Sequence, residues 1–273
     1  MSLLDLIFHA AVAVLSGQLF WGGHSMENQK VALVTGGMGG LGTALCRRLD
    51  AAGFRVATTY SPANRSPEGW LAAQRDEGCR FSAYKVDVAD FADTEWMMQK
   101  LLAEMGRLDV LVNNAGITRD RSLHKMALED WTGVMRTNLD SVFNMTRQAL
   151  EPMMAQGAGR IINVSSVNAQ QGSFGQVNYA AAKAGMHGFT KALALEVARH
   201  GITVNTVSPG YLRTKMTLQV PDEILQTKIL PKIPVGRLGE PEEVAALVAY
   251  LASEGAGFVT GANIAINGGQ HMC

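Results

Sequence analysis

A chain of 273 residues, 47% hydrophobic and 18% charged, is long enough to bury one large core and too apolar to stay disordered. Its 24 Lys and Arg balance 24 Asp and Glu, so no overall basic field exists to drive nucleic-acid binding, although a local anion site remains open. Three cysteines, Cys46, Cys79 and Cys273, lack metal-ligand spacing and read as reduced thiols of a cytoplasmic protein.

The first 27 residues stand apart. Residues 3–20 are mostly apolar, yet Asp5 and His9 interrupt them and no basic segment precedes them, which makes a poor signal peptide and a poor membrane span. Met26 directly precedes the polar Glu27-Asn28-Gln29-Lys30, so residues 1–27 read as an upstream start or an appended segment without catalytic role. The other reading is a helix that touches a membrane surface or another subunit. Stable membrane insertion is not expected.

Residues 28–273 are expected to form one domain. Short β-branched runs alternate with longer amphipathic stretches, the pattern of crossover units and a parallel sheet. Strands are predicted at 31–35, 55–59, 81–86, 110–113, 160–165, 203–208 and 263–266, with helices starting near Leu41, Pro67, Asp90, Lys125, Gln176 and Pro241. Seven parallel strands with helices on both faces make a doubly wound α/β fold of Rossmann type, which binds ligands at the carboxyl ends of its strands.

The first strand runs into Thr35-Gly36-Gly37-Met38-Gly39-Gly40-Leu41-Gly42. Glycines between a strand and a helix let backbone N–H groups approach a pyrophosphate, so Gly36, Met38, Gly39, Gly40, Leu41 and Gly42 are expected to contact a dinucleotide. An acid at the end of the second strand would hold a ribose 2′-hydroxyl and repel a 2′-phosphate. None is present in Thr58-Thr59-Tyr60-Ser61-Pro62-Ala63-Asn64-Arg65-Ser66, whose hydroxyls and Arg65 suit a phosphate and favour NADP(H); otherwise Arg65 is a solvated loop charge. Asp87, after the third strand, is placed either to accept from the adenine amino group or to cap the helix near Asp90. Asn114, Ala115 and Gly116 end the fourth strand at the same edge, where small residues admit a cofactor. Asn138 falls within a long predicted helix, where a buried amide must find partners.

Tyr179 and Lys183 are four apart on the helix that begins near Gln176, hence on one face, and Ser166 lies thirteen positions before the tyrosine. They read as an acid, a cation that lowers its pKa, and a hydroxyl that binds a carbonyl. His124, His187 and His200 form no metal or charge-relay constellation, and Ser165-Ser166 lacks a G-x-S-x-G elbow.

These elements in this order resemble the short-chain dehydrogenase/reductase family from about Lys30 to Met272. The matching pieces are the glycine loop from Thr35, Asn113 to Gly116, Asn138, Ser166, Tyr179 with Lys183, and Pro209-Gly210 followed by Thr214. The resemblance implies a catalytic set of Asn138, Ser166, Tyr179 and Lys183, with Tyr179, Lys183, Pro209 and Gly210 beside the cofactor, and a homotetramer. Within the family, the stretch from Ser165 to Tyr179, Gly116-Ile117-Thr118-Arg119-Asp120 and Asn267-Gly268-Gly269-Gln270-His271-Met272 look like the NADPH-dependent acetoacetyl-CoA reductases of polyhydroxyalkanoate synthesis. That likeness implies an acyl-CoA substrate held by Asp120, Phe174, Gln176 and Tyr211; Ser173 departs from it, standing where that subgroup often has glutamine. The competing likeness is to 3-oxoacyl-acyl-carrier-protein reductases. Many of those carry arginines for their acidic partner where this chain has Gly157 and His200, which tilts the reading toward free CoA thioesters. A catalytically silent nucleotide-binding scaffold is the reading from another class. Residues 211–237, with Pro221, Pro231 and Pro234 among apolar residues, are expected to form a substrate lid, or equally a helix that packs on the core, and both can hold.

Overall fold

The computed structural model describes residues 29–214 and 217–272; the segment 1–27 and Cys273, to which the sequence assigns roles, lie outside them. Seven strands form one parallel sheet: β1 (Val31–Val34), β2 (Arg55–Tyr60), β3 (Ser82–Lys85), β4 (Val110–Asn113), β5 (Gly159–Val164), β6 (Ile202–Pro209) and β7 (Asn263–Ile266). Their spatial order is β3-β2-β1-β4-β5-β6-β7. The chain leaves β1 outward to β2 and β3, then returns across the sheet to β4, so a crevice opens beyond the carboxyl ends of β1 and β4.

Helices cover both faces: α1 (Gly40–Ala51), α2 (Pro67–Asp76), α3 (Phe91–Met105), α4 (Leu128–Met135), α5 (Ser141–Gln156), α6 (Val177–Val197) and α7 (Pro241–Ala252). The two-residue period of the strands divides the core. Val31 and Leu33 of β1 point to a layer with Met97, Met98 and Leu101 of α3, Met145 and Met153 of α5, and Leu193 of α6. Ala32 and Val34 point the other way, to Leu45 and Leu49 of α1 and Val244, Val248 and Leu251 of α7. Because both faces are covered, all four β1 residues are buried and the strand reads as a continuous apolar run rather than an alternating one.

Predicted strand ends match the observed ones to within a residue. One local difference matters. The long helix expected around Asn138 is interrupted by a π-helical turn, Arg136–Asp140, between α4 and α5. Such turns recur at functional positions because the extra residue re-aims a side chain. Asp90, rather than Asp87, caps α3, accepting from Asp93 N at 3.0 Å. The capping option for Asp87 is therefore corrected: its carboxylate accepts from Ala89 N at 3.0 Å in a local turn.

A polar chain crosses the otherwise apolar layer. Asn113 Nδ2 donates to Asn163 Oδ1 (2.9 Å) and to Thr146 Oγ1 (3.2 Å), Asn163 Nδ2 donates to Thr190 Oγ1 (2.8 Å), and Thr190 and Thr206 share a 2.7 Å bond. It ties β4, β5 and β6 to α5 and α6 directly beneath the strand ends. Asn163 is fully buried, so Asn163→Ala removes one of the two partners of the Asn113 amide and of the Thr190 hydroxyl, leaving each only its threonine, at a cost of about 2 kcal/mol. Urea unfolding should show the midpoint falling with the slope unchanged; an unmoved midpoint would remove the network from the fold's energetics.

Candidate active site

The glycine loop is held from behind by threonines of β2. Gly36 N donates to Thr59 Oγ1 (3.1 Å) and Gly37 N to Thr58 Oγ1 (2.9 Å). Gly36 takes a φ of +66°, and a Cβ on Gly42 would run into the Gly36 carbonyl oxygen, so the loop closes on itself only with glycine at both positions. Across the crevice, Asn114 Nδ2 donates to the carbonyls of Thr35 (2.9 Å) and Gly36 (3.2 Å), and the Thr35 hydroxyl receives Asn114 N and Ala115 N, both at 2.9 Å. These bonds set the width of the crevice between the β1 and β4 ends.

Helix α1 starts at Gly40 with Gly39 as its N-cap and no side chain capping it. An uncapped helix start with its first N–H groups turned to a crevice, lined by glycines too close for any side chain, fits the pyrophosphate of a dinucleotide. Met38 and Leu41 lie within this turn, and Thr214 faces Gly40 from the other side, its Cβ 3.4 Å from where a Gly40 Cβ would stand. Arg65 is exposed in the loop after β2, and that loop meets the glycine turn where Asn64 Nδ2 lies 3.2 Å from Met38 Sδ. Asp87 is exposed at the end of β3. Pro209 ends β6, and Gly210 packs so closely on Asn267 that an added Cβ would sit 2.8 Å from its Cα.

Ser166 follows β5, and Tyr179 lies in the first turn of α6, so strand end and helix start bring them together, near enough for the serine hydroxyl to favour the ionised tyrosine. Ser166 Oγ also accepts from Asn168 N (3.1 Å). Lys183, one turn along α6, is 3% exposed; its Nζ donates to Val164 O at 2.7 Å and lies 5.8 Å from the centre of the Tyr179 ring. Burial pushes the Lys183 pKa down to about 7. Burial likewise raises Tyr179, the Ser166 hydroxyl opposes this, and the Asp120 carboxylate adds to it. The expectation that Lys183 lowers the Tyr179 pKa is thereby corrected. The ammonium is desolvated and turned toward a strand carbonyl, so in the protein alone the phenol titrates above its ordinary value.

Asn138 clamps a neighbouring strand end: its Oδ1 accepts from Ile117 N (2.8 Å) and its Nδ2 donates to Ile117 O (2.9 Å). A Cβ on Gly116 would lie 3.2 Å from Asn138 Oδ1 and 3.6 Å from Lys183 Nζ. Gly116 thus marks the point where the π turn, the β4 end and the lysine converge. Of the expected substrate contacts, Asp120 and Gln176 meet each other, Gln176 Nε2 donating to Asp120 Oδ2 at 2.8 Å. Phe174 is 94% exposed between Gly172 and Gly175, and Tyr211 packs with Ile229, Ile233 and Leu238 at the root of the 211–237 segment.

Two positioning amides carry no motif that singles them out. Asn168 Nδ2 donates to Gln176 Oε1 (2.8 Å), continuing the line from Asp120 to Ser166. Asn178, fully buried, accepts from Tyr179 N (2.8 Å) and donates to the carbonyls of Arg119 (3.0 Å) and Asp130 (3.1 Å). A buried Asn immediately before the reactive Tyr is the only sequence signal available for it.

Gly157 and His200 sit elsewhere. Gly157 ends α5 before β5 and His200 precedes β6, and a Cβ on Gly201 would strike the Gly157 carbonyl oxygen. They are neighbours at the amino ends of the strands, away from Tyr179. Among the described residues, no group of three or more His, Cys, Asp or Glu is placed to hold a metal, and no helix is long and apolar enough to cross a membrane.

The model of the short chain dehydrogenase family matches residues 30–224. An acetoacetyl-CoA reductase of Cupriavidus necator is 52% identical over 89% of this chain and 99% of its own length. The acetoacetyl-CoA reductase of Rhizobium meliloti is 51% identical over 89% and 99%. A 3-oxoacyl-[acyl-carrier-protein] reductase of Escherichia coli is 44% identical over 89% and 98%. Sheet order, glycine crevice and the Ser166–Tyr179–Lys183 cluster agree with the match: the chain belongs to the short-chain dehydrogenase family, oxidoreductases that work with a nicotinamide dinucleotide.

Proposed function

We propose that this enzyme reduces acetoacetyl-CoA, and short 3-ketoacyl-CoA thioesters generally, to the (R)-3-hydroxyacyl-CoA with NADPH. The observation that carries the reading is the Ser166–Tyr179 pair brought together at the strand ends beside a dry Lys183, whose Nζ lies 5.8 Å from the Tyr179 ring centre. Similarity of about one half to proteins named as acetoacetyl-CoA reductases supplies the substrate. A cytoplasmic homotetramer belongs to the same proposal, on the strength of the family resemblance.

A nicotinamide dinucleotide held by the glycine loop would supply the hydride that the 3-keto carbon takes up. Ser166 holds the keto oxygen and Tyr179 gives it a proton as negative charge develops there, which is general acid catalysis. A phenol raised by burial is protonated at neutral pH, the form that reduction needs. Lys183, which donates to Val164 O in the protein alone, would turn to the ribose hydroxyls of the dinucleotide. Asn138, whose amide keeps one lone pair and one hydrogen beyond its two bonds to Ile117, holds the water through which Tyr179 regains its proton. Asp120 and Gln176 fix the loops on which the thioester lies, and Phe174 and Tyr211 offer apolar surface to the pantetheine arm. Arg65, exposed beside the glycine loop, would pair with the 2′-phosphate.

Tyr179→Phe should lower turnover of acetoacetyl-CoA roughly 10²-fold or more while NADPH fluorescence reports near-normal binding. Unchanged turnover would sink the assignment. Presented beside acetoacetyl-CoA, a 3-ketoacyl group on carrier protein should be the poorer substrate; a strong preference for it would make this a fatty-acid-synthesis reductase. For the cofactor, Arg65→Ala should raise KM for NADPH roughly tenfold and leave KM for NADH unchanged, and an equal effect on both would remove Arg65 from phosphate recognition. Lys183 gives a pH signature. Unfolded, it keeps its proton to about pH 10; folded, it loses it near 7, so the unfolded chain binds more protons between those values and stability rises with pH. Comparing urea midpoints of the ligand-free protein and Lys183→Met from pH 7 to 9 isolates this term: the wild type should gain on the variant as pH rises, and a constant difference would mean the ammonium is not desolvated.

A further inference from the structure

His187 lies one turn beyond Lys183 on α6 and takes no part in the chemistry above. Its Nε2 is 3.0 Å from Ser165 Oγ and 3.5 Å from Ser208 Oγ. Each serine has a single hydroxyl hydrogen, and each already directs it elsewhere: Ser165 to the Lys183 carbonyl at 2.9 Å, Ser208 to Asn263 Oδ1 at 2.7 Å. Both oxygens therefore turn lone pairs toward the imidazole, and Nε2 carries the ring hydrogen. The bond goes to Ser165, since 3.5 Å to Ser208 is at the limit of one. Burial, with Lys191 one turn farther on, holds the His187 pKa below its ordinary value, so the ring is neutral at physiological pH and keeps this tautomer.

Two consecutive residues at the end of β5 grip Lys183 at both ends: Val164 O receives its ammonium and Ser165 Oγ bonds its backbone carbonyl. Ser166, the carbonyl-binding hydroxyl, is next in the chain. A donor to the Ser165 oxygen polarises that hydroxyl and strengthens its bond to the helix. We propose that His187 is a positioning residue for the reducing site: through Ser165 it pins the turn of α6 that carries Tyr179 and Lys183 against the end of β5, fixing both relative to Ser166. This rests on the Tyr179–Lys183 reading of the site.

The test is steady-state reduction of acetoacetyl-CoA by NADPH in the full-length protein, with active sites counted by NADPH fluorescence and thermal stability followed in parallel. His187→Phe should lower kcat per site roughly tenfold with both KM values within about twofold, because slight misplacement of reacting groups acts on the chemical step. His187→Gln, which keeps an N–H donor, should restore most of that loss. Ser165→Ala should cause a similar loss, and adding His187→Phe to it should cause little more, since both remove one link. An unchanged kcat in His187→Phe, a loss that glutamine does not restore, or losses that multiply with Ser165→Ala would each overturn the proposal. Should His187→Phe not fold, Ser165→Ala decides, and an unchanged kcat there overturns it. Tyr179→Phe serves as control: if it stays active, the underlying reading falls with the inference, whereas an inactive Tyr179→Phe beside a fully active His187→Phe sinks the inference alone.

Discussion

Burying an ammonium group is the constraint around which this site is organised. Lys183 is 3% exposed, and its one short bond is to the Val164 carbonyl. A charge withdrawn from water without a carboxylate partner is costly, and the group answers by giving up its proton more easily, hence a pKa near 7. That state is poised rather than settled. A ligand offering hydroxyls to the nitrogen competes with Val164 O, and whatever displaces it changes the field at Tyr179. The space is kept small from three sides. A side chain at Gly116 would crowd Asn138 Oδ1, Asn138 itself is buried in the π turn, and the Val164 carbonyl meets the ammonium.

The same economy of space explains the glycine loop. Glycines there are usually explained by the ligand, but Gly37 and Gly42 are required by the protein itself: a Cβ on Gly37 would collide with Thr58 Oγ1, and one on Gly42 with Gly36 O. The loop must collapse against β2 and α1 before its outer N–H groups can point into the crevice. Thr58 and Thr59 supply the hydrogen bonds that reward this collapse. Nucleotide geometry is therefore set by the β1–β2 pairing, with Val34 opposite Thr58 in register, and not by loop residues alone.

Much of this was legible in the sequence because it depends on local rules. Strand boundaries followed β-branched runs, α3 began near Asp90 as expected although Asp90 and not Asp87 caps it, and Tyr179 and Lys183 shared a face because four residues make about one turn. What escaped depends on long-range placement. The π turn around Asn138 inserts one residue into a helical pattern without breaking its polarity, so periodicity does not register it. Asn178 looks like an ordinary polar residue until the loop after β4 brings the Arg119 carbonyl to it, and Asn168 does so until Gln176 arrives to receive its amide. The Tyr179 pKa was misjudged for a related reason: spacing places a cation nearby but says nothing of its desolvation, and burial dominates both groups.

Gly157 and His200 illustrate the limit most clearly. As sequence positions they bear on whether an acidic carrier protein can dock. In the fold they lie together before β5 and β6, while Ser166 and Tyr179 lie beyond the other end of β5. Six residues of extended strand separate the two ends by about 20 Å. A carrier seated on that edge would present its acyl arm to the wrong side of the sheet for its own chain, so cations there could serve substrate delivery only to a site on another copy. Within one chain, the segments nearest Ser166 and Tyr179 are the loop after β4, which Asn178 holds through the Arg119 carbonyl, and the Gly172–Gly175 turn, whose Gly175 carbonyl accepts from Arg121 N.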